Sequence, residues 1–266
     1  MKTQVLICTF GRGIEHIDAA ALPRVTGVSW LVCCQNPDGL DLSAPLAALE
    51  SRDDIETHVV GDRGLSNNRN HAFDLATGDV LLIADDDLIF NPHGLAAAAR
   101  IFEAEPATDF ITMHAATGVP RTMPSDGHNL AEQFPHYCPI SFEIAVRAES
   151  LARSGVRFSP LAGIGAPYLC AGEEELFVHN LLKAGLRGRY ADVNIATHPG
   201  ATTSERLESS PAMLRTKGAM MRSLRGTTAS LIRIPVEAYR AKAPFAKAML
   251  WLFQGFVYSI KNRKML

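Results

Sequence analysis

The sequence predicts an α/β fold with a mainly parallel central sheet. Two observations carry that prediction. Short apolar runs of strand length alternate along the chain with stretches of helical spacing. Polar and acidic residues collect where those runs end: Thr9, then Gln35 and Asn36, then Asp85 to Asp87. In open parallel sheets ligands gather at the carboxyl ends of the strands.

The elements follow in order. "QVLICTF" (4–10) reads as a strand ending in Thr9-Phe10-Gly11-Arg12, with a helix-like stretch after it through Ala21. "VSWLVCC" (28–34) is a second strand closed by the turn cluster "QNPDG", and "LSAPLAALES" a short helix. "IETHVV" (55–60) is a third strand. "SNNRNHAFDLATG" predicts a helix capped by Ser66 and stopped at Gly78. Val80–Ala84 is a buried strand, "NPHGLAAAARIFEAE" a helix with Pro92 near its start, and "DFITMHA" (109–115) another strand. Residues 116–139 hold six Pro and Gly residues and read as one long loop, the kind that forms lids or binding loops. "ISFEIAVR" (140–147) alternates like a strand. A helix is expected from about Gly172 to Ala184, and "GRYADVNIATHPG" holds the last strand and its turn.

Length and composition set limits. At 266 residues and 47% hydrophobic, the chain can bury a substantial core. A net charge of −2 gives no global sign of a nucleic-acid partner. The charge is unevenly spread: residues 1–205 carry 14 Lys/Arg against 26 Asp/Glu, and residues 206–266 carry 12 against 2. That asymmetry predicts a main domain over 1–205 and a basic extension over 206–266 that meets an anionic surface or docks on the acidic body. Five cysteines without a CxxC, three of them inside apolar strands, fit free thiols in a reducing, cytoplasmic setting. The N-terminal run is short for a signal peptide and breaks at Gly11.

"GDVLLIADDDLIFNP" (78–92) drives five apolar residues into the core and then sets three carboxylates side by side. A carboxylate pair about 4 Å apart repels by roughly 1 kcal/mol in water, and more in a low-dielectric cleft. Solvent could offset this at an exposed turn; so could a divalent cation, which prefers oxygen ligands.

The segments "VLICTFGR", "RGLSNNRNHAFDLATGDVLLIADDDLIFNP", "AGEEELFVHNLLKAGLR" and "THPGATT" resemble, in that order, the family 2 glycosyltransferases. The resemblance spans residues 4–205 and is strongest over 61–92 and 171–187. It implies a GT-A fold, a Rossmann-like nucleotide-sugar-binding sandwich, here with a C-terminal helical extension. It also implies an inverting glycosyltransferase that uses Mn2+ or Mg2+, a nucleotide-sugar donor (UDP favoured) and a hydroxyl acceptor; the basic tail alone suggests a glycan or lipid-linked acceptor in envelope glycan assembly. By that resemblance Asp85–Asp87 is a DxD-type motif, with Asp87 on the metal and Asp85 and Asp86 at the ribose and around the metal's own ligands. Thr9, Phe10, Arg12 and Arg69 lie along the nucleotide. The family's base-reading acid after the second strand is absent; Gln35 and Asn36 stand there, and the Asn36 amide offers both a donor and an acceptor to uracil. Glu174 maps to the catalytic base, with Glu173 and Glu175 as neighbours able to take the role. A carboxylate in a first helical turn also simply complements the macrodipole. His198 is a candidate metal or phosphate ligand, and an imidazole among carboxylates favours Mn2+. The segment after it, with Arg206 and Lys217, is a candidate lid over the diphosphate.

The C-terminal stretch places Phe245, Met249, Leu252, Phe253, Phe256 and Ile260 on one helical stripe ahead of Lys261, Arg263 and Lys264. Sixteen residues make about 24 Å of helix, short of a ~30 Å hydrocarbon core. The expectation is a peripheral, interfacial helix at the inner face of a membrane, or a helix packed on the domain or on a second copy. Two rival functions remain at this level: a nucleotidyltransferase, for which "TFGRGIEH" is a thin phosphate loop, and a non-catalytic glycan- or phospholipid-binding scaffold of the same fold.

Overall fold

The computed structural model describes residues 1–118, 120–199 and 210–266. The candidate lid around Arg206 therefore lies outside the described residues. The chain divides into two compact units. One comprises Met1–Arg63, Asn67–Arg157 and Asn180–Gly200; the other comprises Gly64–Ser66, Phe158–His179 and Ala201–Leu266. The second unit thus draws in residues well upstream of position 206, because Ala162, Leu169 and Leu176 share a buried cluster with Ala219, Met220 and Leu266.

The first unit is built on an eight-stranded sheet. Its strands are β1 (Thr3–Phe10), β2 (Val28–Gln35), β3 (Ile55–Val60), β4 (Val80–Asp85), β5 (Ile89–Phe90), β6 (Phe110–Ala116), β7 (Ile144–Arg147) and β8 (Gly188–Thr197). They lie in the order β3-β2-β1-β4-β7-β6-β8-β5. The first four strands are mutually parallel, as is the β6–β8 pair; β7 runs against β4 and β6, and β5 against β8. The runs Val5–Cys8, Trp30–Cys34 and Val80–Ala84 of β1, β2 and β4 are apolar without interruption because both their faces are covered. Val5, Ile7, Trp30, Val32, Leu82 and Phe102 are all buried in one cluster.

The winding direction positions the site. From β1 the chain moves outward through β2 and β3, then returns to place β4 on the other side of β1. That reversal opens a crevice at the carboxyl ends of β1 and β4, where ligands bind in sheets of this kind. Cys8 and Asp85 are register partners across it, so Thr9 and Asp86 face each other one residue further on.

The helices of this unit are α1 (Ser43–Glu50), α2 (Leu65–Leu75), α3 (Pro92–Ala104), α4 (Leu130–Gln133) and α5 (Ala148–Ser154), with α6 (Glu173–Lys183) beginning in the second unit. Asn91 caps α3, its Oδ1 accepting from the His93 amide at 3.1 Å, and Pro92 occupies the first helical position.

Three local expectations are corrected. The stretch after β1 is a 3-10 turn over Gly11–His16 rather than a helix to Ala21. Ser66 does not cap α2; it lies within the first turn, and its hydroxyl donates to the Ala162 carbonyl at 2.7 Å. Residues 140–147 are not one strand: Ser141–Glu143 is a 3-10 turn, and β7 starts at Ile144. The alternation misleads because Glu143 is fully buried. Its carboxylate accepts from the Ala115 and Ile140 amides at 3.0 and 2.8 Å and from Arg121 at 2.5 Å. Arg121, itself half-buried, also donates to the Cys138 carbonyl, so its pair with the buried Glu143 fastens both ends of the long loop.

Cys8, Cys33 and Cys34 are buried thiols in β1 and β2. Burial pushes the Cys8 thiol far up, Cys33 to about 12 and Cys34 to about 11. Because these values are raised, almost no thiolate exists in the folded state below pH 9; the reactive form appears on unfolding. An alkylating reagent at pH 8 is therefore expected to modify the partly exposed Cys138 and Cys170 first. Cys8, Cys33 and Cys34 should react only in denaturant. Peptide mapping of native and denatured protein checks this, and native labelling of Cys33 would contradict it.

Among its described residues, the part of the second unit after position 209 contains α7 (Pro211–Arg225), α8 (Thr227–Arg240) and α9 (Phe245–Lys261), where the sequence suggested only the last as a helix. Ser210 caps α7, accepting from the Met213 amide at 3.1 Å. Lys217, a candidate lid residue, is a half-buried position within α7. Helices α7 and α9 approach at reciprocal glycines: a Cβ on Gly218 would overlap the Leu252 carbonyl, and one on Gly255 would overlap the Arg215 carbonyl. Leu214, Ile234, Ala238, Ala248, Leu252 and Phe256 form the cluster that holds the three helices together. The expected apolar stripe of α9 is thereby split. Leu252 and Phe256 pack inward, while Phe245, Phe253 and Ile260 are exposed.

Candidate functional site

The three consecutive acids at the end of β4 are held by three different partners. Asp85 ends the strand, and its Oδ1 accepts from Arg69 at 3.0 Å. Asp86 accepts the hydroxyl hydrogen of Thr9. Asp87 lies 3.2 Å from Nε2 of His198. Splaying the carboxylates apart in this way relieves their mutual repulsion and aims each at a different side of the crevice.

Each anchor has its own support. Arg69, on α2, is only 2% exposed and also donates to the Ser141 hydroxyl at 2.7 Å. Asn68 beside it donates to the Thr9 and Cys33 carbonyls at 3.0 and 2.9 Å, which ties α2 to the ends of β1 and β2. The close Thr9–Asp86 contact depends on Gly13, where a Cβ would sit 2.5 Å from the threonine hydroxyl and 2.6 Å from the aspartate oxygen. His198 follows β8, its amide bonds the Ala116 carbonyl at 2.9 Å, and its ring stacks on Phe142 with 5.6 Å between centroids.

The electrostatics differ along the triplet. Burial, helped by the adjacent charges of Asp85 and Asp87, holds the Asp86 carboxyl above its ordinary range, with the Thr9 hydroxyl working in the other direction. The Asp87 side chain is 46% exposed. It is the acid of the three that solvent, or a cation, reaches most freely.

Other expected residues lie around this core in different ways. Phe10 is exposed at the end of β1 beneath the Arg63 guanidinium, 5.4 Å from its ring centre. Arg12 is exposed and paired with Glu15 at 2.5 Å. Asn36 engages part of its amide in its own turn: Nδ2 donates to the Leu40 carbonyl at 2.8 Å and Oδ1 accepts from the Leu40 amide at 2.9 Å. One N–H and one lone pair of the amide are left over by these two bonds.

A group the sequence reading passed over stands next to it. Asp62, just after β3, accepts from Gln35 Nε2 at 2.8 Å and lies 2.9 Å from His71 Nε2. The signal was available, since Asp62 is an acid at the carboxyl end of a strand, but nothing local joins it to Gln35 and His71.

In the second unit, Glu173 is buried with its carboxyl group against Gly163, while Glu174 and Glu175 are half-buried in the first turn of α6. Gly163 has φ +102°, and a Cβ there would sit 2.9 Å from the Glu173 carboxyl carbon.

Among the described residues no group of three His, Cys, Asp or Glu side chains could enclose a metal alone. The Asp87–His198 pair still suits a dication: one oxygen and one nitrogen donor leave the remaining positions for ligand oxygens, the usual arrangement where substrate phosphates complete the coordination.

The model of glycosyl transferase family 2 matches residues 48–148. No curated protein matches the chain in sequence. Among solved structures it is similar to S. aureus TarS 1-349, with a TM-score of 0.60 at 16% identity over 98% of this chain and 74% of that one. The complex of TarS 1-349 with UDP-GlcNAc gives the same TM-score at 17% identity and the same coverage. A longer S. aureus TarS chain is covered to 45%. The mannosyltransferase PcManGT from Pyrobaculum calidifontis, in complex with GDP-Man and Mn2+, is similar with a TM-score of 0.60 at 13% identity, over 98% of this chain and 87% of that one. At these identities the likeness is one of fold, and the fold is GT-A, with helices added at the C-terminus.

Proposed function

From the match of the glycosyl transferase family 2 model over residues 48–148, we propose that the chain is a member of that family and a metal-assisted, inverting glycosyltransferase. It transfers a sugar from a nucleotide-diphospho-sugar, with UDP-sugars favoured, to a hydroxyl of a glycan or lipid-linked acceptor in cell-envelope or extracellular glycan assembly. The observation that carries this reading is the triplet Asp85–Asp86–Asp87 at the crevice between β1 and β4, each acid held by a separate partner. TarS and PcManGT, with UDP-GlcNAc and with GDP-Man and Mn2+, support the donor class and the ion class.

The roles follow from the chemistry of each group. Asp87 and His198 would hold Mn2+ or Mg2+, which when bound would supply positive charge against the departing diphosphate. Asp85, fixed by Arg69, and Asp86, fixed by Thr9, accept hydrogen bonds from ribose hydroxyls. Arg12 and Phe10 flank the nucleotide. We assign base contact to Asp62 in place of Asn36, part of whose amide is engaged in its turn. A carboxylate only accepts, so Asp62 suits a base edge that presents an N–H, as uracil and guanine do. Glu174 takes the proton of the attacking hydroxyl.

Incubating the protein with a panel of nucleotide-sugars and Mn2+ tests the reading. Release of nucleoside diphosphate from one donor is expected; release of pyrophosphate from a nucleoside triphosphate and sugar phosphate would make the protein a nucleotidyltransferase instead. Glu174→Gln keeps the side-chain shape and removes the base, so it should leave donor binding unchanged and lower transfer by about 10²–10⁴-fold. Wild-type transfer by Glu174→Gln together with a dead Glu173→Gln would move the role to Glu173.

A further inference from the structure

We propose that the outward face of α9 docks the protein on an anionic lipid bilayer. One side of α9, at Ala248, Leu252, Gly255, Phe256 and Ser259, is buried within the second unit. Leu250, Phe253 and Ile260 lie on another side and remain 54%, 48% and 45% exposed. Their spacing of three and then seven residues puts them on one stripe at 3.6 residues per turn. A helix with apolar residues on two sides is built to be covered on both. In α8 the same pattern recurs: Ile232, Val236 and Tyr239 are exposed, opposite the buried Ser230, Ile234 and Ala238.

Charge selects the occupant. Residues 210–266 carry eleven Lys and Arg and a single acid, Glu237, which Arg240 already engages at 3.4 Å. Exposed Lys247 and Lys261 edge the stripe, and exposed Arg263 and Lys264 follow it. Two copies meeting through this face would bring like charges together, whereas anionic headgroups neutralise them while the apolar side chains enter the acyl boundary. None of the described helices is long and apolar enough to cross a membrane. The geometry is therefore that of a helix lying in the interface, with its lysines reaching outward to the headgroups. This deepens the reading of a lipid-linked acceptor; it rests on that reading for its purpose but not for its measurement.

Flotation of the full chain with vesicles, in the absence of any donor, is the test. At 50 mM salt the protein is expected to float with phosphatidylcholine vesicles containing 30% phosphatidylglycerol, and not with phosphatidylcholine alone. At 500 mM salt the bound fraction should fall at least fivefold, as screening shortens the reach of the charges. Leu250→Ser with Phe253→Ser should reduce binding at least tenfold; both positions are exposed, and an unchanged melting temperature would show that the fold is kept. Arg263→Ala with Lys264→Ala, beyond the end of the helix, should weaken binding at low salt without touching the apolar stripe. Failure to float with anionic vesicles at 50 mM salt overturns the proposal, as does undiminished binding by Leu250→Ser with Phe253→Ser. A dimer that the serine pair dissociates, seen by sedimentation without vesicle binding, would make a second copy the occupant and overturn it too. Flotation by a protein that transfers no sugar would uphold the surface and count only against the assigned reaction.

Discussion

Replacing Asp87 with alanine is expected to remove Mn2+-dependent binding of UDP while leaving the fold in place. Asp87 is the most open acid of the triplet, and its side chain is not part of the core. The stability change should thus stay within about 0.5 kcal/mol, as for surface substitutions. The functional change should be far larger. Removing one preorganised electrostatic contact to developing charge costs about 3–4 kcal/mol, or roughly 10²–10³ in rate. A transfer assay with Mn2+ reads the rate, calorimetry with UDP and Mn2+ reads the binding, and a thermal melt of the same sample reads the stability. Equal UDP affinity in Asp87→Ala and wild type would end the metal assignment. His198→Ala should weaken the same binding but also lower the melting temperature, because its ring is buried against Phe142.

Arg69→Met should show the opposite balance, with a large loss of stability as well as of donor binding. The guanidinium is buried, and it donates to both Asp85 and Ser141. Methionine fills much of the volume but offers no donor. Breaking a buried ion pair from one side costs about 3–5 kcal/mol because the remaining charge is left uncompensated. Asp85 is 28% exposed and water reaches it, so the lower end, about 3 kcal/mol, applies. In a chain of this size that lowers the melting temperature by roughly 6–12 °C. Arg69→Met with Asp85→Asn should recover part of the loss, since the orphaned charge is then gone. If the single variant melts with the wild type, Arg69 is not what holds Asp85; if the double variant is no more stable than the single, the charge is not what costs.

These two residues also show how far the sequence could be read. Strands β1, β2 and β4 were legible because each carries an apolar run buried on both faces, and β4 announced the site by ending in three acids; β3, the edge strand, was legible from the turn signals that bound it. That Arg69 and the acids belong together was carried by the order of motifs. What Arg69 does there was not legible: a buried arginine and a surface arginine look alike in a helical stretch, and only the packing of α2 against the ends of β1 and β4 separates them. Asn36 shows the converse. Its amide has the right chemistry for a base, yet its own turn takes one donor and one acceptor of it, and Asp62 from after the next strand stands beside Gln35.

The sequence by itself determined the alternation of strands and helices, the parallel sheet, the acidic strand end and the basic C-terminal extension. Those properties follow from local periodicity and composition, which need no partner to be expressed. Tertiary structure alone decided which side of α9 is covered, where glycines at 218 and 255 admit a neighbouring backbone. It also decided that residues 141–143 form a tight turn around the buried Glu143 and that three adjacent carboxylates reach three separate anchors. Each of those outcomes depends on groups tens of residues apart in the chain. For the acids, that contact exists only once the sheet has brought β1, β4 and β8 and their connecting loops together; for α9, only once α7 packs against it.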